Sequence, residues 1–187
     1  MPSSPVALLK REAAVAEVIF FRGRATRTPH NGQPAPLASS DRLQVGDVLE
    51  TDADATVSLR FVDGSRLLLA PNSKVTLAEM MLFGKTGMAQ TFLNLHRGSL
   101  DARAAPQQAP SARYEIRSRA LSLVVRGTEF RAHVSDVDQL TRNEVLAGAV
   151  QATGQRGNTA MTMAGFGTLA LPGAPPSTPR MLVSPPI

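Results

Sequence analysis

The sequence contains no cysteine and no tryptophan, and tyrosine occurs once. The absence of cysteine excludes a disulfide scaffold, a thiolate zinc site and a cysteine nucleophile. Only 4% of the residues are aromatic, so the core has to be built from valine, leucine, isoleucine, alanine and the phenylalanines. No run approaches the roughly 18 consecutive apolar residues that a membrane-spanning helix needs. We therefore expect no membrane insertion of this chain.

Patterns typical of catalytic and metal-binding sites are also missing. His30, His96 and His133 lie far apart in the sequence and lack ligand-like spacing, which favours isolated histidines over a metal site. The acidic pairs at 52–54 and 136–138 are not followed by the glycine and the distal glutamate of a calcium loop. There is neither a G-x-S-x-G motif nor a glycine-rich phosphate loop. We predict that the protein is not an enzyme and uses no cofactor and no metal.

The 187 residues carry a formal net charge of +5. The basic residues are mostly arginines, and they are scattered singly among apolar positions. A nucleic-acid-binding surface usually shows a basic tract or aromatic side chains on which bases stack. Neither is present, so we predict no nucleic-acid partner.

What the sequence does contain is a recurring pattern of alternating apolar residues interrupted by a glycine. It occurs in VIFFRGRAT, LRFVDGSRLLL, LNLHRGSLDA, LVVRGTEFRA and EVLAGAVQA. The glycines are Gly23, Gly64, Gly98, Gly127 and Gly148. Each can supply the positive φ that a tight hairpin requires. The pattern predicts an all-β fold of short antiparallel strands and glycine hairpins, arranged as a sandwich, a roll or a solenoid-like stack.

The hairpin around Gly64 allows a prediction of strand register. A two-residue turn would pair Leu59 with Leu68, whereas a three-residue loop with a left-handed Gly64 pairs Leu59 with Leu67. The second register also places Val57 opposite Leu69. Because burial of one face sets the register, we predict the three-residue loop.

Proline and glycine content divides the chain into three parts. Residues 1–12 are predicted to be a linker, and residues 13–172 are predicted to form one all-β domain. Residues 173–187 are predicted to be a proline-rich linker or tail that contributes little to stability.

One segment stands out as a candidate binding surface. Strand alternation along residues 113–119 places Tyr114 and Ile116 inward, and it places the arginines outward together with Glu115. The neighbouring strand would add Arg131 and His133. The candidate partner-binding residues are therefore Arg113, Arg117, Arg119 and Arg131. Arginine suits carboxylate or phosphate partners, although the same pattern also fits a solvated sheet face without a partner.

Several motifs, in order, resemble the FecR-type periplasmic domain. They are LQVGDVLET at 43–51, ATVSLRFVDGSRLLLAPNS at 55–73, LHRGSL at 95–100, VRGTEF at 125–130, VLAGAV at 145–150 and GFG at 165–167. The order and approximate spacing match over residues 13–170. The signature residues are Asp63, Gly64, Ser65, Arg126, Gly127 and Thr128. They fit turns, and we interpret them as structural.

The resemblance implies a non-enzymatic module of the bacterial cell envelope. In the iron-regulated members, the domain receives a signal from an outer-membrane transducer and passes it to a cytoplasmic sigma factor. Another branch, associated with LysM modules, implies a cell-wall scaffold or a domain that binds glycan or peptidoglycan. We therefore expect a periplasmic location, although the first residues show no export signal. The partner is expected to be a protein or an anionic envelope polymer, and the sequence does not decide the oligomeric state.

Overall fold

A computed structural model describes residues 14–83, 88–105 and 113–182. These residues form seventeen strands and no helix, which confirms the all-β prediction. No helix capable of crossing a membrane occurs in this part of the chain. The linker predicted at 1–12 lies outside the described residues.

In chain order, the strands are β1 (Ala14–Arg22), β2 (Ala25–Thr28), β3 (Ala35–Pro36), β4 (Arg42–Gln44), β5 (Val48–Thr51), β6 (Thr56–Phe61), β7 (Arg66–Leu69), β8 (Lys74–Phe83), β9 (Met88–Arg103), β10 (Arg113–Arg117), β11 (Leu121–Val125), β12 (Glu129–Val134), β13 (Thr141–Ala147), β14 (Ala149–Gly154), β15 (Thr159–Met163), β16 (Phe166–Ala170) and β17 (Arg180–Met181).

The strands form one mixed sheet that is divided into two sections, and the long strand β9 belongs to both. The first section has the order β3-β2-β5-β8-β9-β10-β11-β14-β15. The second section has the order β4-β1-β6-β7-β9-β12-β13-β16-β17. Strand β9 pairs with first-section strands up to Arg97 and with second-section strands from Gly98 onward.

One apolar core joins the two sections. A single cluster of buried side chains draws Leu49, Leu93 and Tyr114 from the first section and Leu59 and Phe130 from the second. In β6, for example, every second side chain is buried in this core. A leucine that becomes fully buried contributes about 2 kcal/mol by removal of apolar surface from water.

Four of the five recurring glycines are not hairpin residues, and the sequence-based assignment is corrected here. Gly23, Gly98, Gly127 and Gly148 lie where the chain passes from one section to the other, because the strands before and after each glycine pair with different partners. All four have the expected positive φ. A positive φ lets a strand turn a corner as well as close a hairpin, so the sequence pattern does not distinguish the two.

The hairpin at Gly64 has the predicted register. Leu59 pairs with Leu67 and Val57 pairs with Leu69, and Gly64 has a φ of 86°. The amide of Gly64 donates to the carbonyl of Phe61 at 3.0 Å, which closes a turn inside the three-residue loop. The burial argument therefore selected the correct loop length.

The described part of the proline-rich tail is hydrogen bonded to the second section. The amide of Ser177 donates to the carbonyl of Leu169 at 2.8 Å, and the amide of Leu182 donates to that of Gly165 at 2.9 Å. Strand β17 pairs with β16 between these contacts. The domain boundary at 172 stays a prediction, but these bonds give a physical reason to expect that the tail adds stability.

Candidate anion-binding cleft

The structure separates the four candidate arginines. Arg113 and Arg117 stand at the two ends of β10, and each side chain is half exposed. Arg119 lies in the turn that follows, and it is exposed. Arg131 and His133 belong to β12, in the second section. The expectation that they lie on the strand beside β10 is wrong, because β11 occupies that place and the chain changes section before β12 begins.

Glu115 lies between Arg113 and Arg117 and is buried beneath them. Only 3% of its side chain is exposed, and each arginine Nε lies 2.8 Å from one of its carboxylate oxygens. The hydroxyl of Ser122 donates to the same carboxylate. The sequence-based view of Glu115 as a solvated outer residue is therefore corrected: it is on the outer face but covered by its partners.

The ionisation of Glu115 follows from these partners. Burial acts to raise the pKa of the carboxyl group, but the hydrogen bonds from Arg117 and Ser122 and the charge of Arg113 outweigh burial. The pKa of Glu115 is therefore below its ordinary value, and the group is a carboxylate at neutral pH. The negative charge of Glu115 holds Arg117 through its Nε atom.

Arg117 is held from a second side by an aromatic ring. Its guanidinium carbon lies 4.4 Å from the centre of the Phe92 ring, and Phe92 is the residue of β9 that pairs with Glu115. Stacking on a ring and binding through Nε fix the orientation of the planar group. In the described part of the chain, no acceptor binds the terminal nitrogens of Arg117, and these nitrogens can donate to an anion.

Arg117 and Arg119 lie at a surface cleft of about 330 Å³. The lining residues come from β9, from the end of β10, from the β10–β11 turn and from the β12–β13 loop: Asn94, Leu95, His96, Arg117, Ser118, Arg119 and Gln139. The cleft forms where the two sections part, and the hydroxyls of Ser118 and Thr141 meet there at 2.7 Å. None of the described residues that line the cleft carries a carboxylate, so its two arginines favour an anionic ligand.

His96 adds a titratable group to this cleft. Its Nε2 lies 2.7 Å from the hydroxyl of Thr76. Burial lowers the pKa of His96, and the positive charges of Lys74 and Arg97 lower it further, while Glu50 opposes them. His96 is therefore neutral at neutral pH. The sequence treated His96 as an isolated histidine, and its place in the cleft depends on the pairing of β9 with β10.

Arg131 occupies a different electrostatic environment. Its Nε lies 3.3 Å from a carboxylate oxygen of Asp101, and Glu144 is its partner in the register of β12 and β13. The neighbouring cavity of about 300 Å³ is lined by acidic as well as basic residues. Two carboxylates thus neighbour Arg131, whereas Arg113 and Arg117 share the single carboxylate of Glu115. This makes Arg131 a weaker anion-binding candidate than Arg117 or Arg119.

The signature residues make structural contacts. Asp63 accepts the amide of Ser65 at 2.8 Å and the hydroxyl of Thr91 at 3.2 Å, so it ties the Gly64 hairpin to β9. The buried hydroxyl of Ser65 accepts the amide of Ala105 at 3.0 Å. Thr128, also buried, donates to the carbonyl of Ala149 at 3.0 Å beside the Gly148 corner.

The remaining signature residues, Arg126 and Gly127, precede Thr128 at its corner, and both are exposed. The carbonyl of Arg126 is a second acceptor for the Thr128 hydroxyl, at 2.9 Å. Within the three described ranges, no group of three or more histidine, aspartate or glutamate residues could hold a metal ion.

Comparison with known proteins identifies a family and a fold. The sequence model of the family described as "FecR protein" matches residues 47–151. Two crystal structures of a proposed anti-sigma factor from Parabacteroides distasonis ATCC 8503 are similar, with TM-scores of 0.59 and 0.57 at 11% and 10% identity. Each match covers 72% of this chain and 59% of the other, so the similarity spans less than two thirds of that protein and shows the fold alone. No curated protein sequence matches this chain.

Proposed function

The chain belongs to the FecR protein family, and from this we propose that it is a non-enzymatic interaction module of the bacterial envelope that relays a signal through protein contacts. Its place would be the periplasm, where the family resemblance puts such domains. The observation that carries the proposal at residue level is the cleft at Arg117 and Arg119, which presents two arginines and, among its described lining residues, no carboxylate.

The chemistry of the cleft supports an acidic segment of a protein as the partner. Arg117 is already oriented by Glu115 and by the Phe92 ring, so little conformational entropy is lost when its terminal nitrogens bind a carboxylate. Arg119 stands two residues further on, in an exposed turn. Two half-exposed or exposed arginines give weak binding individually, so both have to contact the same partner, and salt should weaken the complex.

A second candidate function uses the same cleft for an anionic glycan. Asn94 and Gln139 line the cleft beside the arginines, and side-chain amides can both donate to and accept from sugar hydroxyls. Peptidoglycan fragments carry carboxylates as well as hydroxyls. A cell-wall scaffold or peptidoglycan-binding module is therefore the alternative.

A binding experiment distinguishes the two functions. Fluorescently labelled acidic peptides and purified peptidoglycan fragments are titrated with the 187-residue chain at low and high salt. The variants are Arg117→Glu/Arg119→Glu and a control with the same change in charge, Arg22→Glu/Arg24→Glu. The control residues are exposed and lie near the Gly23 corner, outside the cleft. Salt-sensitive peptide binding that only the cleft variant loses supports the relay, and the same result with the glycan supports the alternative.

A cellular experiment tests the relay itself. Deletion of the gene should change the transcripts controlled by an alternative sigma factor, and complementation with the control variant should restore them. Complementation with the cleft variant should not. Unchanged transcripts in the deletion strain would contradict a signalling role, and equal binding of parent and cleft variant would contradict a role of the arginines.

A further inference from the structure

The two sections end in four outer strands, and one of them differs from the rest. Strands β3 and β17 have two residues each and β4 has three. Pro36, Arg42 and Arg180 lie within these short strands. Shortness, proline and charge are the features that protect a sheet edge from pairing with another chain. Strand β15 has five residues, TAMTM, with no charge and no proline.

The open side of β15 presents unpaired backbone groups in a regular order. Among the described residues, strand β15 pairs only with β14, and the amide of Gly154 donates to the carbonyl of Asn158 at the start of this ladder. Hydrogen-bonded and non-bonded pairs alternate along an antiparallel ladder. The amides and carbonyls of Thr159, Met161 and Met163 therefore point away from β14, toward the open edge.

The side chains of the same three residues are also exposed. Met161 and Met163 are each 55% exposed, and Thr159 is exposed beside them. Thr162 points the other way, where its buried hydroxyl bonds that of Thr168. Backbone groups and apolar side chains thus become available together along one edge of the first section.

We propose that β15 pairs antiparallel with β15 of a second copy of this chain, with the twofold axis at Met161. In this register Met161 lies opposite its own copy, and Thr159 lies opposite Met163 of the other copy. All of the outward-pointing backbone groups then meet partners, and the first section continues from one chain into the next. The interface is isologous, as in most homodimers.

The composition of the strand favours a second copy over a charged partner. Strand β15 offers no charge that an acidic or basic peptide could recognise. Its outward backbone groups at Thr159, Met161 and Met163 are symmetric about Met161, so the same edge of a second copy can satisfy all of them. The nearest basic residue in the preceding turn is Arg156, which lies beyond the paired region, so no like charges face each other. The dimer edge is distinct from the arginine cleft, and the two proposals succeed or fail separately.

A cysteine introduced at the twofold axis tests the register. The chain has no cysteine, so Met161→Cys creates a single thiol. Directly opposed residues of a hydrogen-bonded pair have Cα atoms about 5.5 Å apart, which suits a disulfide. Mild oxidation should give a disulfide-linked dimer on a non-reducing gel. The control is Val137→Cys, a residue that is 96% exposed in a loop and should remain monomeric.

A charge placed on the edge tests the association without a covalent bond. Light scattering after size exclusion should give the parent chain twice its mass of 19.8 kDa at high concentration. Met161→Lys should give the single mass, because two lysines would then face each other at the axis. Val62→Lys, a change at another half-exposed apolar residue, should leave the dimer intact. A parent chain of single mass at every concentration, or a dimer that survives Met161→Lys, overturns the proposal.

Discussion

The parts of the chain before and after β9 contribute equally to the two sections but reach them through different connections. Residues 14–83 supply four strands to each section on one side of β9. Residues 113–182 supply four strands to each section on the other side. They differ in the end of β9 at which the chain changes section.

The end of β9 at which the chain passes from one section to the other determines where a cleft can form between the sections. In the N-terminal part, the chain crosses beside Gly98, where Ser73 packs against that glycine. In the C-terminal part it crosses at Thr128, beside Ala104 at the far end of β9. The chain of the C-terminal part therefore does not cross between the sections near Gly98. The hydroxyls of Ser118 and Thr141 bridge the two sections there, and the cleft at Arg117 lies beside this bridge.

Replacement of the corner glycines should show the largest effect. A Cβ at Gly98 would lie 2.5 Å from the Cα of Ser73, at a φ of 83°, so Gly98→Ala forces two strands apart. We expect a loss of about 3 kcal/mol or more in the free energy of unfolding. At Gly148 the nearest backbone atom would lie at 3.3 Å, so Gly148→Ala should cost less. Chemical denaturation of both variants measures the difference, and equal losses would contradict a tighter N-terminal corner.

Removal of the tail should have a smaller effect that is confined to the C-terminal part. Truncation after Pro172 removes β17 and the bonds that Ser177 and Leu182 make to the second section. At about 1 kcal/mol net per hydrogen bond, we expect a loss of about 2 kcal/mol and a lower melting midpoint. The linker interpretation from the sequence instead expects no change. An unchanged midpoint would show that the docked tail adds nothing.

Replacement of a hairpin glycine should destabilise the fold less than removal of the tail does, and by a similar amount in the N-terminal and C-terminal parts. Gly64 and Gly157 have φ values of 86° and 82°, and a Cβ at either would meet nothing closer than 3.8 Å. Only the backbone conformation opposes a side chain there, so Gly64→Val and Gly157→Val should each cost about 1 kcal/mol or more. Thermal unfolding measures both. A cost at Gly64 comparable to that at Gly98 would mean that the hairpin is more tightly packed than the structure shows.

Local features of the fold could be predicted from the sequence. The Gly64 register follows from residues within one hairpin, since burial of Val57 and Leu59 and one positive φ determine it. The alternation of Tyr114 and Ile116 follows in the same way. The division into two sections could not be predicted in this way, because a positive φ at Gly127 is compatible with a hairpin and with a corner between the sections. The choice depends on packing against strands far away in the sequence.

The cleft could be predicted only in part. Arg117 and Arg119 lie close together in the sequence, so their outward position followed from alternation. His96 and Gln139 reach the cleft through the parallel pairing of β9 with β10 and through the β12–β13 loop, and no local signal marks either contact. Arg131 was assigned to the wrong surface for the same reason, since the corner at Gly127 moves β12 to the other section.

The smallest expected effect is a change of stability with pH that comes from His96, which lines the cleft. Burial and the charges of Lys74 and Arg97 lower the pKa of His96 in the folded chain, so the unfolded chain binds a proton more readily. The contribution of His96 to stability is therefore complete above its ordinary pKa of 6.5 and is lost as the pH falls below that value.

Denaturant titrations at several pH values between 7.5 and 5 measure this loss, and His96→Gln should make the profile flatter. His133→Gln, which removes the ring beside Ser99 in the second section, should keep the slope that His96 contributes. An anion bound at Arg117 and Arg119 would favour a protonated His96, so a saturating acidic peptide should reduce the slope as well. A slope that is identical in the parent and in His96→Gln would contradict the partly buried position of this histidine beside Lys74 and Arg97.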